Sequence, residues 1–476
     1  MKHQVVPRAT LSSIIRRHAW STGIFASVLL VNTDGAVYLF AQMTHHSPLT
    51  QEVWLQFYDN EDRAKSELFA GLFYLSREDF KELLDKAQRS FGDDHWMTKV
   101  VAAELAEVEQ YCSWSDEKQA QLKGIFAEIA ELDTFAFPVC DTTGRAEKIL
   151  DKLDALGVPD GWVRYMALYY GAGTKYPGSD AHLRLLLRQL EMIERQAGKY
   201  SGPYLVKLAQ YLRAVTEGEQ WLSAGKLLDE AVPQAYAYWK NYPLDPAAYS
   251  ALLGLVEWEA RYLLMIKETD KALRLIEQAD ALFGTGDEPV AFPGVKEFLL
   301  LQLKAKVLIQ RGELRQARIK LNEVLSFLRR NEDKLDKSQV NQAAIFIGEC
   351  LVLLGDKWEL RSYLDSVSRT VGGKLIRGRD DRLFLRARAM VAGFEENDNE
   401  ADSLLQEYFD LRHSHFTNDH PDDLPLLEMW AKVKERLGKK DDALRVRDRV
   451  ERLKNQMSEC KQSYQHAAKT LEVLGK

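Results

Sequence analysis

The sequence predicts an all-α chain, an α-solenoid of stacked helical hairpins, with room for one small β-hairpin near the N-terminus. Three observations predict it. Small or apolar anchors recur at Ala224, Ala272, Ala317, Leu360, Ala401 and Ala443, in steps of 48, 45, 43, 41 and 42 residues, a period that belongs to repeated hairpins rather than one globular core. Within each period the apolar residues fall at helical spacing. Short turn signals, such as Arg311-Gly312-Glu313 and Leu354-Gly355-Asp356-Lys357, divide each period in two.

The clearest unit runs from Leu301 to Phe327. Ala305 and Ala317 are small where two helices must approach, Gly312 ends the first helix, and Leu308, Leu321 and Val324 supply the buried stripe. The next unit repeats this with Gly348, Leu351, Gly355, Leu360, Leu364 and Val367, a third with Ala389, Ala392, Glu396, Ala401, Leu405 and Tyr408, and a fourth with Ala431, Lys434, Gly438, Ala443, Arg447 and Val450. Glu219, Lys267 and Glu396 stand where the other units have a turn glycine. The fourth unit is polar on its outer positions, as a last unit without a full neighbour should be, and 446–476 reads as a long closing helix.

These residues resemble the tetratricopeptide repeat, particularly its longer kinesin-light-chain-like variety. The run from Arg436 to Leu444 is similar to the turn and second-helix start of that family, and Asn418-Asp419-His420-Pro421-Asp422 to its preceding loop. The resemblance spans roughly residues 200–452 and implies a right-handed superhelix with a concave groove lined by the first helix of each hairpin. Carried over residue by residue, one ring of that groove is Arg213, Arg261, Lys306, Glu349, Met390 and Lys432, of which four are basic. A cationic stripe in an otherwise acidic chain favours a protein or peptide partner with acidic character, while a solvated helix face explains the same residues without a ligand. The Lys/Asn arrangement of carboxylate-clamp tetratricopeptide domains is not visible; Gln302 and Lys306 do not reproduce it.

The chain divides into an N-terminal element at 1–50, a helical region at 51–140, the repeat array at 141–452 and a C-terminal capping helix at 453–476. Residues 1–33 carry Lys2, Arg8, Arg16 and Arg17 and no acidic side chain. They are open to three readings. Asp34-Gly35 between the apolar runs 28–31 and 36–40 favours a β-hairpin. A basic then apolar order suits a targeting segment, although no small-x-small cleavage site follows. Residues 8–30 also suit a helix-turn-helix remnant. Farther on, helices are expected at 96–111 and 116–132, with Ser76 as the N-cap of another. Phe135, Phe137, Pro138 and Gly144 mark a boundary, and 284–294 reads as a long inter-repeat loop.

Composition bounds the function. The 476 residues carry a net charge of −7, with 46% hydrophobic and 28% charged side chains, which argues against gripping a nucleic-acid backbone. Cys112, Cys140, Cys350 and Cys460 are far apart in sequence and form no CxxC pair, so reduced thiols in a cytoplasmic protein are expected. No membrane span, cofactor or enzymatic activity is expected, since the phosphate-loop, HExxH, GxSxG and dinucleotide-binding patterns are absent. Gly171-Ala172-Gly173 reads as a turn between helices. His413, His415, Asp419, His420, Asp422 and Asp423 are the one metal-like constellation, but i and i+2 histidines point to different faces of a helix and a structural loop is favoured. Tyr165, Tyr169, Tyr170, Trp221, Trp239, Trp258 and Tyr262 read as core aromatics.

The expected function is a non-enzymatic protein-interaction scaffold or adaptor that holds a peptide or partner helix in the groove. Two other classes stay open. One is a signalling or transcription regulator whose N-terminal region senses or contacts a target and whose repeats take the input. The other is a metal-dependent enzyme at the 413–423 loop. The sequence leaves the oligomeric state open.

Overall fold

The computed structural model describes residues 60–61, 63–134, 142–172, 179–218, 220–241, 246–284, 293–330, 379–413, 416 and 418–464. They form an all-α array of helical hairpins, and no strand occurs among the described residues. The expected N-terminal β-hairpin at 28–40, the second repeat unit at Gly348–Val367 and the body of the 284–294 loop lie outside the described residues. No described helix is long and apolar enough to cross a membrane.

After a helical stretch at 63–69, the described residues form sixteen α-helices, the first eight being α1 Phe73–Phe91, α2 Trp96–Cys112, α3 Asp116–Thr134, α4 Thr142–Leu156, α5 Trp162–Ala172, α6 Asp180–Ala197, α7 Gly202–Glu217 and α8 Trp221–Asn241. They continue with α9 Pro246–Met265, α10 Thr269–Gly284, α11 Pro293–Gln310, α12 Leu314–Arg330, α13 Arg379–Phe394, α14 Asp398–His413, α15 Leu424–Arg436 and α16 Lys440–Tyr464. Sequential helices pack pairwise, and α7, α9 and α11, the first helices of successive hairpins, also pack side by side. That second contact creates a continuous inner face.

The anchors act as their spacing implies. Ala224, Ala272, Ala305, Ala317, Ala389 and Ala401 are fully buried, because a methyl group lets the partner backbone approach. Gly312 and Gly438 take left-handed φ of +75° at their turns. Lys267 and Glu396, which replace glycine, hold the same conformation at φ 63° and 60°. A Cβ is strained there.

Two local expectations need correction. Ser76 does not cap a helix: α1 starts at Phe73, and the buried Ser76 hydroxyl donates to the Ala64 carbonyl at 2.8 Å. It ties α1 to the preceding helical stretch. Gly171 is not in a turn but inside α5, where a Cβ would lie 2.2 Å from the Ala146 Cβ of α4. Its role is close helix approach. Across the expected boundary near 140, Lys152 pairs with Glu128 at 2.6 Å, and the buried Glu107 of α2 accepts from the backbone N–H groups of Trp162 and Val163 at the start of α5, at 2.6 and 3.2 Å. Burial pushes the Glu107 carboxyl up, against those bonds and that from Tyr111.

The last hairpin is unequal. Helix α15 has 13 residues and α16 has 25, so α16 overhangs its partner. Its apolar stripe nevertheless continues through Leu453, Met457, Cys460 and Tyr464, all buried. The overhang packs on the middle of the array: the Tyr464 hydroxyl bonds the Glu259 carboxylate, Lys461 pairs with Glu268 at 2.8 Å, and the Tyr464 and Tyr262 rings lie 5.6 Å apart. The array therefore folds back so that α16 packs on α8 and its Tyr464 reaches α9. The closing helix is an inter-hairpin strut as well as a cap.

Candidate binding cavity in the groove

Inside this closed turn lies a cavity of about 160 Å³. Helix α7 supplies Thr216 and Glu217, α9 supplies Trp258 and Arg261, α11 supplies Lys306, and α13 supplies Arg386. The loop before α15 closes the remaining side with His420, Pro421 and Asp422. Four helices and one loop, distant in sequence, thus meet.

The loop is held rigidly. His420 Nε2 meets the Thr216 carbonyl oxygen at 2.8 Å, occupying one of the carbonyls that the end of α7 leaves unpaired, while Nδ1 accepts from the Asp422 N–H at 3.2 Å. With Nδ1 accepting, Nε2 is the donor to Thr216. Asp423, 1% exposed, accepts from Tyr408 Oη at 2.5 Å and from the His420 N–H at 3.3 Å, and forms an ion pair with Arg412 at 2.7 Å. The loop conformation is thereby fixed by buried polar contacts on both sides.

Trp258 sits between two arginines, with the Arg213 guanidinium 5.5 Å and the Arg261 guanidinium 4.9 Å from its ring. Each arginine also has a glutamate one helical turn away: Arg261 pairs with Glu257 at 2.8 Å and Arg213 with Glu217 at 3.5 Å. These pairs orient the guanidinium groups and partly neutralise them. Desolvation would lower the Arg261 pKa, but Glu257, Glu217 and Asp422 raise it further.

Asp422 reports the field of the cavity. Enclosure alone would raise its carboxyl, yet His420, Lys306, Arg386 and Arg261 hold it well below the usual carboxylate range. Its side chain is still 57% exposed, and it lines the cavity. The carboxylate is therefore accessible and surrounded by positive charge.

The expected groove ring divides. Arg261 and Lys306 line the cavity, and Arg213 flanks it across Trp258. Met390 does not join them; it is 5% exposed and packed in the core. The cavity residue of that helix is Arg386, one turn earlier on the same side. Lys432 is exposed and away from the cavity lining, and Glu349 lies outside the described residues.

The metal-like constellation has structural partners. Arg449 donates to both carboxylate oxygens of Asp419, at 2.6 and 3.0 Å, and contacts His413 at 3.2 Å. His420 and Asp423 are engaged as above. No group of three or more candidate ligands is arranged to hold a metal among the described residues, and His415 lies outside them.

No family model matches the chain, and no curated protein matches it. Among solved structures it is similar to the crystal structure of the P58(IPK) TPR domain, at 14% identity, covering 81% of this chain and 99% of that chain, with a TM-score of 0.23. A likeness at that score carries no argument. The architecture rests on the hairpins themselves.

Proposed function

We propose that this chain is a non-enzymatic cytoplasmic scaffold that binds an acidic segment of a protein partner on the inner face of its array. The observation that carries the reading is the convergence of Arg261, Lys306 and Arg386, from three separate first helices, around a carboxylate the protein itself supplies. Stacked helices present such side chains with little further loss of entropy on binding. An acidic residue of the partner seats beside Lys306 and Arg386, and neighbouring acidic residues meet Arg261 and Arg213. The glutamates paired with those arginines set a threshold: an isolated surface charge gains little, about 0.2 to 1 kcal/mol, so recognition requires several acidic groups in register.

The test compares a fluorescein-labelled glutamate-rich peptide with its glutamine counterpart by anisotropy. The intact protein is expected to prefer the glutamate peptide, and Arg213→Glu/Arg261→Glu/Lys306→Glu, shown by circular dichroism to stay helical, is expected to lose that preference. Equal binding of both peptides by the intact protein would refute the reading.

A further inference from the structure

The cavity has features that a stripe for extended acidic peptides does not need. Its volume of about 160 Å³ is space for a small molecule. Its walls are of two kinds. Leu264, Met265 and Ile309 form an apolar side together with Pro421 of the closing loop and Pro425 of α15. Opposite in character, Arg261, Lys267, Lys306 and Arg386 outnumber the lining carboxylates Glu217 and Asp422.

We infer that the cavity is a site for a small amphipathic monocarboxylate, whose apolar body packs on Leu264, Met265 and Ile309 and whose carboxylate is held by Arg261, Lys306 and Arg386. Three arguments carry it. The Asp422 carboxylate already lies in the combined field of those three cations, so the site stabilises a carboxylate in place. A few polar groups converging on an apolar wall is the general form of a small-molecule site. A dianion such as phosphate meets Glu217 and Asp422 as like charges and gains nothing from the apolar wall. The inference rests on the cavity's charge and shape and holds whether or not a protein partner exists.

Such a ligand would connect two parts of the chain. Arg261 and Lys306 belong to α9 and α11, whereas Arg386 and the His420–Asp422 loop belong to the C-terminal hairpins. Occupancy therefore strengthens the closure of the array, by mass action on the closed form.

The experiment uses the full chain with phenylacetate as probe and phenylacetamide and inorganic phosphate as comparators, read by isothermal titration calorimetry and thermal unfolding. Phenylacetate is expected to bind and to raise the melting temperature; phenylacetamide, which has the same body without the charge, is expected to do neither. Arg386→Gln and Lys306→Gln should each weaken phenylacetate by about tenfold or more, as loss of a charge-assisted contact does. Asp422→Asn, which removes the internal competitor, should tighten it several-fold. Failure of phenylacetate to bind at millimolar concentration, equal binding of the amide, or tighter binding of phosphate would each overturn the inference. The comparison of acid with amide needs no variant, so a substitution that fails to fold does not leave the question open. Loss of acidic-peptide binding would not affect this outcome.

Discussion

Lys207 offers the sharpest test of the packing. It lies on α7, 2% exposed, with Nζ donating to Gln210 Oε1 at 2.7 Å and lying 5.5 and 5.8 Å from the ring centres of Tyr165 and Tyr169. His182 also feels its charge. Burial pushes the Lys207 pKa down to about 7. The ordinary value is near 10.5, and each unit is worth about 1.4 kcal/mol, so the ceiling on the destabilisation is roughly 5 kcal/mol. The tyrosine faces and Gln210 return part of it.

The sign follows from proton binding. The unfolded chain keeps the Lys207 proton up to about pH 10.5, whereas the folded chain releases it near 7. Between those values the unfolded state binds more protons, and stability rises with pH. Lys207→Met fills the same space without a charge. It should therefore be more stable than the parent by roughly 2 to 4 kcal/mol at pH 6, and this advantage should shrink steadily from pH 7 to pH 10. Urea unfolding followed by circular dichroism across that range measures the difference, in which titrations common to both proteins cancel. A difference independent of pH would show that Lys207 titrates normally and is not desolvated.

Other expected outcomes use the same assay. Lys267→Gly and Glu396→Gly relieve a Cβ at left-handed φ and should each stabilise by roughly 0.5 to 1 kcal/mol. Gly225→Ala should destabilise by about 1 to 3 kcal/mol, because its Cβ would lie 2.4 Å from the ring of Tyr262, which is 1% exposed and has no room to shift. Asp402→Ala removes the partner of the buried Lys434 at 2.7 Å and of the Trp430 indole N–H at 2.8 Å, at a cost of about 3 to 5 kcal/mol. Desolvation would raise the Asp402 carboxyl, but its bonds to Lys434, Lys439 and Trp430 hold it below its ordinary value. Its contribution is thus full above about pH 4 and lost as pH falls through the depressed value.

What the sequence revealed and what it hid follow from the range of the interactions. Helices α2 and α3 begin at Trp96 and Asp116, the expected residues, since apolar period and turn chemistry are local. The turns at Gly312, Gly438, Lys267 and Glu396 were legible for the same reason. Ser76 and Gly171 differ from the local expectation because their partners, Ala64 and Ala146, lie 12 and 25 residues away. A local pattern does not distinguish a capping hydroxyl from a tethering one, or a turn glycine from a packing glycine. In the groove, the repeat register places Arg261 and Lys306 on the side that lines the cavity, whereas on α13 the lining residue is Arg386, one turn before the buried Met390. One signal of closure was present: the apolar stripe of α16 runs on to Tyr464, well past the length that 13-residue α15 covers. A stripe that outlasts its partner implies a second one.

The account depends on the array folding back so that its C-terminal hairpin completes the cavity. Zero-length carbodiimide coupling followed by mass spectrometry tests this directly, because Lys461 Nζ and Glu268 Oε1 lie 2.8 Å apart. The predicted result is a Lys461–Glu268 isopeptide link within the monomer, lost in Lys461→Gln. Links confined to adjacent hairpins, such as Lys152–Glu128, with none joining α16 to the 268 turn, would contradict it.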